Sequence, residues 1–254
     1  MAKHQTCLRT GKIKKENCIV KSKKMIFMLL LIILLGNLYA QKISNIDFDK
    51  IKPAIQDSSS NYYYPILIER FLNFEDLMEN EYKYLYYGSV FQDNYSPYKK
   101  SDNEKIFLEK VNKKMFEAAI PYGTEAMKEN PMNLKVLLRM LVCYHELDNK
   151  ETASQYAKLY YALLNVIHRS GDGKSKETAY VVACVSDEYE ILANLELTPI
   201  SQGLSGMTDI IRVEKKGETG SIPVEEKGKK SKKIKTKIDS VYFNVSKPFE
   251  SLLH

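Results

Sequence analysis

The side chains with the clearest potential for chemistry are grouped near position 187 of the 254-residue chain. Cys184, His168 and Asp187 could supply the nucleophile, base and orienting acid of a thiol enzyme, but closeness in sequence does not establish such a triad. Asp187 and Glu188, together with Asp93, could instead supply the carboxylates of a hydrolase acting on envelope or extracellular polymers. Neither set forms a strong catalytic motif, so the sequence assigns no catalytic residue and favours a protein that is not an enzyme.

Metal and phosphate chemistry find little support in the sequence. None of His145, His168 and His254 stands at zinc-ligand spacing from another histidine or a cysteine. Residues 171–175 (GDGKS) are similar to the end of a phosphate loop, but His168 occupies the position where that loop requires its first glycine. We therefore expect a tight turn at this point, and we expect no metal and no cofactor.

Cys143 and Cys184 are the two cysteines that follow residue 40. They could form one disulfide in an oxidising compartment, or they could be two buried free thiols that behave as small apolar side chains. Both lie inside apolar runs of the sequence. This setting favours the free thiols, and the disulfide is the alternative.

Tyrosine is concentrated in one part of the chain: nine of its 18 copies lie between Tyr62 and Tyr98, and tryptophan is absent. Neighbouring tyrosines on one helix cannot all face a single core, so some are expected at the surface, where tyrosine is a favourable contact residue. One hypothesis is a groove for a peptide or a glycan, with Asp93 beside it. The other, which the intermediate burial of tyrosine favours, is that the rings fill the core in place of tryptophan. The binding residues of the groove hypothesis are Tyr63, Tyr64, Tyr86, Tyr87, Phe91, Gln92 and Tyr95.

Residues 1–40 have the organisation of a secretory signal. An extended basic region ending at residues 21–24 precedes eleven apolar residues at 25–35, and Ala40 precedes the polar Gln41. The apolar segment is shorter than the about 20 residues that span a bilayer, so we expect cleavage after Ala40 and no membrane span in the mature protein. Retention as an uncleaved anchor is the alternative. The sequence therefore predicts an exported protein, periplasmic or extracellular.

The net charge of +6, from 38 basic and 32 acidic residues, is unevenly distributed. Residues 1–40 hold eight of the basic residues and one of the acidic ones, and residues 227–237 hold seven lysines. Outside these two segments, 23 basic residues face 31 acidic ones. A nucleic-acid-binding domain concentrates its basic groups on one folded face, so we exclude nucleic acid as a partner. The partner we expect is a protein, peptide or glycan of the envelope.

The apolar pattern predicts a mainly helical part over residues 46–168. It begins with one or two short turns at 46–56, because Pro53 would interrupt a longer helix. Pro65 suits the first turn of the next helix, and Ser101 has a glutamate three residues later, which is typical of a capping box. Further helices are expected at 75–87, 133–147 and 150–168. The last two of these form an αα-hairpin similar to part of a tetratricopeptide repeat.

The C-terminal part, residues 178–250, is expected to hold a small antiparallel sheet and one helix that follows Ser186. Residues 215–237 are rich in Lys, Glu and Gly and are predicted to be a flexible loop. The fold class is therefore α+β, with residues 41–254 in a single domain whose first two-thirds are mainly helical. Three strands are predicted from their β-branched residues, at 180–185, 209–214 and 240–245.

Five short motifs occur in order along the chain: 61–65 (NYYYP), 85–92 (LYYGSVFQ), 170–175 (SGDGKS), 177–179 (ETA) and 242–246 (YFNVS). Together they resemble domain of unknown function family 4919, which consists of secreted proteins of Gram-negative bacteria. The resemblance covers roughly residues 45–250 and implies export and a single α+β unit. It implies no activity and no catalytic residue, and the lysine-rich stretch at 215–237 departs from the family as an insertion.

These patterns favour a non-enzymatic binding module that acts in the periplasm or outside the cell. The hypothesis rests on the helical hairpin, the tyrosine-rich segment and the lack of a strong catalytic motif. A carboxylate-dependent hydrolase is the alternative, and two carboxylates converging in a deep cleft would favour it. A shallow groove lined by tyrosines, without such a pair, would favour binding.

Overall fold

The computed structural model describes residues 46–215 and 239–252. Over these two stretches, nine α-helices and four strands form an α+β fold, mainly helical at first and closed by a small sheet, which confirms the predicted class. The predicted signal at 1–40 and almost all of the lysine-rich segment at 215–237 lie outside the described residues. Within the described residues, no helix combines the length and the apolar character that crossing a bilayer requires.

The first helices are α1 (Phe48–Gln56), α2 (Tyr64–Leu72) and α3 (Glu79–Gly88), and α3 leads into a 3-10 turn at Ser89–Phe91. α1 is a continuous helix of nine residues rather than the one or two short turns we expected. Ile51 and Ile55 anchor one face of it in the core, while Pro53 lies on the exposed face. Pro65 occupies the first turn of α2, as predicted.

α3 begins at Glu79, four residues later than predicted, because an arginine orders the loop before it. The guanidinium of Arg70 donates to the backbone oxygen of Asp76 at 2.5 Å and pairs with the buried Glu81 at 2.6 Å. Glu81 also accepts the backbone N–H of Met78 at 2.6 Å. A charged pair with two backbone bonds holds residues 76–78 outside the helix.

The next four helices are α4 (Asp102–Asn112), α5 (Phe116–Glu129), α6 (Leu134–Glu146) and α7 (Lys150–Ser170). The hydroxyl of Ser101 accepts the backbone N–H of Glu104 at 3.1 Å, which confirms the predicted cap of α4. α6 and α7 form the predicted hairpin, and both match their predicted limits within two residues. The long helix α7 packs against α3, α6 and the sheet, so it connects the two parts of the fold.

The C-terminal elements are β1 (Tyr180–Val181), α8 (Ser186–Asn194), β2 (Leu197–Ser205), β3 (Thr208–Lys215), β4 (Asp239–Asn244) and α9 (Ser246–Glu250). The strand order is β1-β4-β3-β2. β2, β3 and β4 are antiparallel as predicted, but β1 pairs with β4 in parallel, so the sheet is mixed. β1 ends four residues earlier than predicted because the N–H of Ala183 leaves the sheet and donates to the Tyr86 hydroxyl at 3.0 Å.

One apolar core runs from the helices into the sheet, and tyrosine is an important part of it. The rings of Tyr86 and Tyr87 on α3 are completely buried, and they pack edge-on at 5.0 Å. The hydroxyl of Tyr87 donates to the backbone oxygen of Val181 at 3.1 Å. α3 is thereby fixed to the residues that lead into α8, which positions the site described next.

Candidate functional site

A cavity of about 840 Å³, here called the main cavity, opens between α2, residues 89–104, residues 126–132 and residues 183–187. Its volume lies within the range of sites that hold small organic ligands. A side cavity of about 310 Å³ adjoins it, since Ser96, Glu104 and Cys184 line both. The apolar wall of the main cavity is formed by Pro65, Ile68, Leu72, Ala126, Pro131 and Met132.

Asp187 is the most deeply buried charged side chain that lines the main cavity, with 1% of its surface exposed. Its Oδ2 accepts the hydroxyl of Tyr86 at 2.6 Å. The pKa of Asp187 is raised to about 7, first because burial disfavours the charged form and then because Glu190 adds negative charge. The Tyr86 hydroxyl and the backbone N–H of Cys184 act in the opposite direction.

Oδ1, the second oxygen of Asp187, is buried, and no donor among residues 46–215 and 239–252 meets it in hydrogen-bond geometry. The backbone N–H of Cys184 lies close enough to the carboxyl to lower its pKa. Asp187 stands in the first turn of α8, where the helix dipole favours negative charge. The fold thus holds a carboxyl at the cavity with one oxygen bound to the core and the other unfilled.

Glu104 is a second buried carboxyl that lines the main cavity, with 6% exposure. It belongs to the first turn of α4, and burial raises its pKa, against the opposing effect of Lys100 and Lys135. The lysines that line the main cavity, Lys99, Lys100 and Lys128, are exposed. Two acidic groups are therefore buried at the cavity, whereas its lysines and its other two acidic residues, Asp102 and Glu129, are exposed.

Tyr95 and Gln92 connect the loop after α3 to the rest of the site. The hydroxyl of Tyr95 donates to the backbone oxygen of Ala183 at 2.6 Å, and Nε2 of Gln92 donates to that of Gly88 at 3.1 Å. Both side chains line the main cavity. These bonds fix the loop on one side to α3 and on the other to the segment that carries Asp187.

The seven residues of the groove hypothesis occupy three different environments. Tyr64, Gln92 and Tyr95 line the main cavity. Tyr86 and Tyr87 are buried in the core, where Tyr86 contacts the cavity carboxyl Asp187. Tyr63 and Phe91 are half-buried and are not lining residues; Tyr63 precedes α2, and Phe91 packs edge-on against Phe48 at 6.1 Å.

The residues of the hydrolase hypothesis are separated. Asp187 lines the cavity, whereas Asp93 is exposed and does not. Glu188 faces the β2–β3 hairpin, where Nε2 of Gln202 donates to it at 3.4 Å and also to Asp209. Burial, followed by the charges of Asp209 and Asp187, raises the pKa of Glu188 to about 9.

The thiol hypothesis is opposed by the environment of Cys184. The pKa of this thiol is raised well above its ordinary value by burial and by the charge of Asp187, whereas a thiol nucleophile needs a lowered pKa. His168 hydrogen-bonds Asn194 at 3.0 Å and packs edge-on against Tyr180. Cys143, buried in α6, has a pKa raised to about 11, and both cysteines are free thiols in the structure.

The GDGKS segment bends within a loop that turns back on Thr178, and does not form the tight turn we expected. The backbone N–H groups of Asp172 and Gly173 both donate to the oxygen of Thr178, at 2.9 and 2.8 Å. Amides that are bound in this way cannot cradle a phosphate. In the described part of the chain, no group of three or more His, Cys, Asp or Glu side chains is arranged to hold a metal ion.

Sequence reasoning missed Glu104 as a cavity residue, although its capping motif was recognised.

The comparisons with known proteins relate the chain to one protein family. A family model described as Domain of unknown function (DUF4919) matches residues 49–221. The chain belongs to this family. The DUF4919 match contains every lining residue of the main cavity, whereas β4 and the motif at 242–246 lie beyond it. Neither the curated proteins nor the solved structures contain a match to the chain.

Proposed function

We propose that this is an exported protein that binds a small peptide or glycan of the envelope in the main cavity and does not change it chemically. One observation carries the proposal: segments from four distant parts of the chain enclose a space of ligand size, with an apolar wall and a buried acceptor. The signal-like pattern of residues 1–40 supports the proposed export.

The rim of the main cavity is fixed before any ligand arrives. Nδ2 of Asn94 donates to the backbone oxygen of Glu129 at 3.0 Å, and Nδ2 of Asn103 donates to Oε1 of the same residue at 2.7 Å. Tyr95 and Ala183, which both line the cavity, are also bound to each other. A rim held in this way loses little conformational freedom on binding, which favours affinity.

A carboxylate-dependent hydrolase is the second candidate, and one arrangement favours it. Asp187 and Glu104 are both buried and both line the main cavity. A carboxyl with a pKa raised to about 7 suits a general acid near neutral pH. In this case Glu104 takes the place of Asp93 and Glu188 as the partner of Asp187.

The test blocks the cavity with one exposed side chain. Ser96 is exposed and lines both cavities, so Ser96→Trp would fill the opening without disturbing the core. Ser58→Trp, in the exposed turn after α1, is the matched control. Each protein is incubated with the low-molecular-weight fraction of a cell-envelope extract, separated from unbound molecules, and denatured, and the released molecules are identified by mass spectrometry.

We expect wild-type protein and Ser58→Trp to release the same intact molecule and Ser96→Trp to release none of it. Equal release from all three proteins, or release from none, would contradict binding in the main cavity. Recovery of cleavage products from the wild type, with the intact molecule recovered from Asp187→Asn, would favour the hydrolase.

A further inference from the structure

We infer that the cavity ligand carries a cationic amine on an apolar body, as in the free amino terminus of a peptide that begins with an apolar residue. The amine donates to Oδ1 of Asp187, and the apolar part lies against the wall formed by α2 and residues 126–132. This inference rests on the proposed function and names the ligand class of that same cavity.

The unfilled oxygen of Asp187 is the first argument. Asp187 is 99% buried, Oδ2 is bound to Tyr86, and Oδ1 has no partner in hydrogen-bond geometry within the described chain. A buried carboxylate oxygen without a donor is costly, and native structures rarely keep one without a reason. Oδ1 itself has almost no accessible surface, so the donor of a ligand reaches it when the Asp187 side chain turns toward the cavity that it lines.

The second argument is the sign of the charge. Asp187 and Glu104 are the buried ionisable residues among the carboxylates and lysines that line the main cavity, and both are acidic. The lysines there are exposed and can remain hydrated. An ammonium group would bond to a buried carboxylate and offset its charge, whereas a neutral hydroxyl would leave that charge uncompensated.

The third argument is the apolar wall, which distinguishes a peptide from a glycan. Pro65, Ile68, Leu72 and Met132 offer no side-chain hydrogen bond. Sugar hydroxyls placed against this wall would lose water without gaining partners, whereas an apolar side chain would gain from burial. The side cavity, which continues past Glu104, gives room for further residues of a short peptide.

The experiment compares matched probes by calorimetric titration. The probes are the tripeptide Leu-Ala-Leu with a free α-amine, the same tripeptide with an acetylated amine, and the neutral sugar chitotriose. The protein is tested as the wild type, Asp187→Asn, Glu188→Gln and Ser96→Trp. Glu188→Gln is the matched control, because Glu188 is the neighbouring buried carboxyl on α8 but does not line the cavity.

We expect the free tripeptide to bind at least about tenfold more tightly than the acetylated one to the wild type and to Glu188→Gln. Asp187→Asn should remove that difference, and Ser96→Trp should remove binding altogether. If Asp187→Asn does not fold, the free-to-acetylated ratio in the wild type decides, since it requires no variant.

Equal binding of the two tripeptides, or tighter binding of chitotriose, would overturn the inference but would leave the cavity as a binding site if Ser96→Trp abolishes it. A further outcome is that none of the three probes binds while the envelope extract still yields a molecule that the wild type retains and Ser96→Trp does not. That result would overturn the inferred cationic amine but not the binding site. Failure of the probes and of the extract together would overturn the proposed function itself.

Discussion

The hydroxyl of Tyr86 donates a 2.6 Å hydrogen bond to Oδ2 of Asp187, which lies 101 residues further along the chain. The same hydroxyl accepts the backbone N–H of Ala183 at 3.0 Å. One buried side chain of the helical part therefore positions both the carboxyl of the main cavity and the backbone that leads to it. The site depends on the core that packs α3 against α7 and the sheet.

Replacement of Tyr86 by Phe should destabilise the protein. It keeps the ring but leaves Asp187 Oδ2 and the N–H of Ala183 without their partner, so we expect a loss of about 1–3 kcal/mol in the free energy of unfolding. Urea denaturation followed by circular dichroism measures this loss. Tyr161→Phe, at a residue with 58% exposure, is the control and should have little effect. Equal stability of the two variants would show that the buried hydroxyl contributes nothing.

Stability should fall as the pH rises through the neutral range. The folded-state pKa is raised to about 7 for Asp187 and to about 9 for Glu188, mainly by burial. In the unfolded chain both carboxyls ionise near pH 4. The folded protein therefore keeps protons that the unfolded chain releases, and the free energy of unfolding decreases from about pH 5 to about pH 9.

We expect the wild type to lose at least about 1 kcal/mol between pH 5.5 and pH 8.5, as measured by urea denaturation at both values. Glu188→Gln cannot titrate at this position, so its stability should decline less steeply with pH. A wild type that is equally stable at both pH values would contradict the raised pKa values of these buried carboxyls. If the stability of Glu188→Gln declined as steeply as that of the wild type, the raised pKa of Glu188 would be contradicted.

Cys184 should react slowly with alkylating reagents although it lines both cavities. The thiolate is the reactive form, and burial together with Asp187 raises the pKa of this thiol. At pH 8 we expect iodoacetamide to modify Cys184 at least about tenfold more slowly than it modifies glutathione. Mass spectrometry of the peptides measures the rate, and the urea-unfolded chain gives the unprotected rate. A rate in the folded protein as fast as that of glutathione would restore the thiol-enzyme hypothesis.

Gly171→Ala should be destabilising because the backbone leaves no room for a methyl group. A Cβ at this position would come closer to the carbonyl oxygens of Thr178 and Ala179 than real Cβ atoms come to other atoms. We expect a loss of about 1–3 kcal/mol in urea denaturation. At Gly203, on the exposed strand β2, a Cβ would meet nothing within 4 Å, so Gly203→Ala is the matched control. Indistinguishable variants would mean that the loop at Gly171 is not packed as described.

The αα-hairpin could be predicted from sequence because its signals are local. α6 and α7 carry long apolar stripes of helical period, and Asn149 caps α7 by accepting the N–H of Thr152 at 3.1 Å. Strand β2 could not be predicted in this way. It is an edge strand with exposed residues along almost its whole length, and it contains Pro199 beside an irregularity in its pairing.

The candidate site could be predicted only in part. Tyr64, Gln92 and Tyr95 were named from the tyrosine-rich segment, and all three line the main cavity. The burial of Asp187 has no local signal, since an acidic residue in the first turn of a helix is ordinarily exposed. Its partner Tyr86 is 101 residues away, so only the packed fold reveals the pair.

The most direct test of a ligand site in the main cavity is a crystal structure of the protein bound to the molecule recovered from the envelope extract. We predict electron density for that molecule between Tyr95 and the apolar wall, with a donor within hydrogen-bond distance of Oδ1 of Asp187. Density for the same molecule elsewhere on the surface, with only ordered water in the main cavity, would contradict the account.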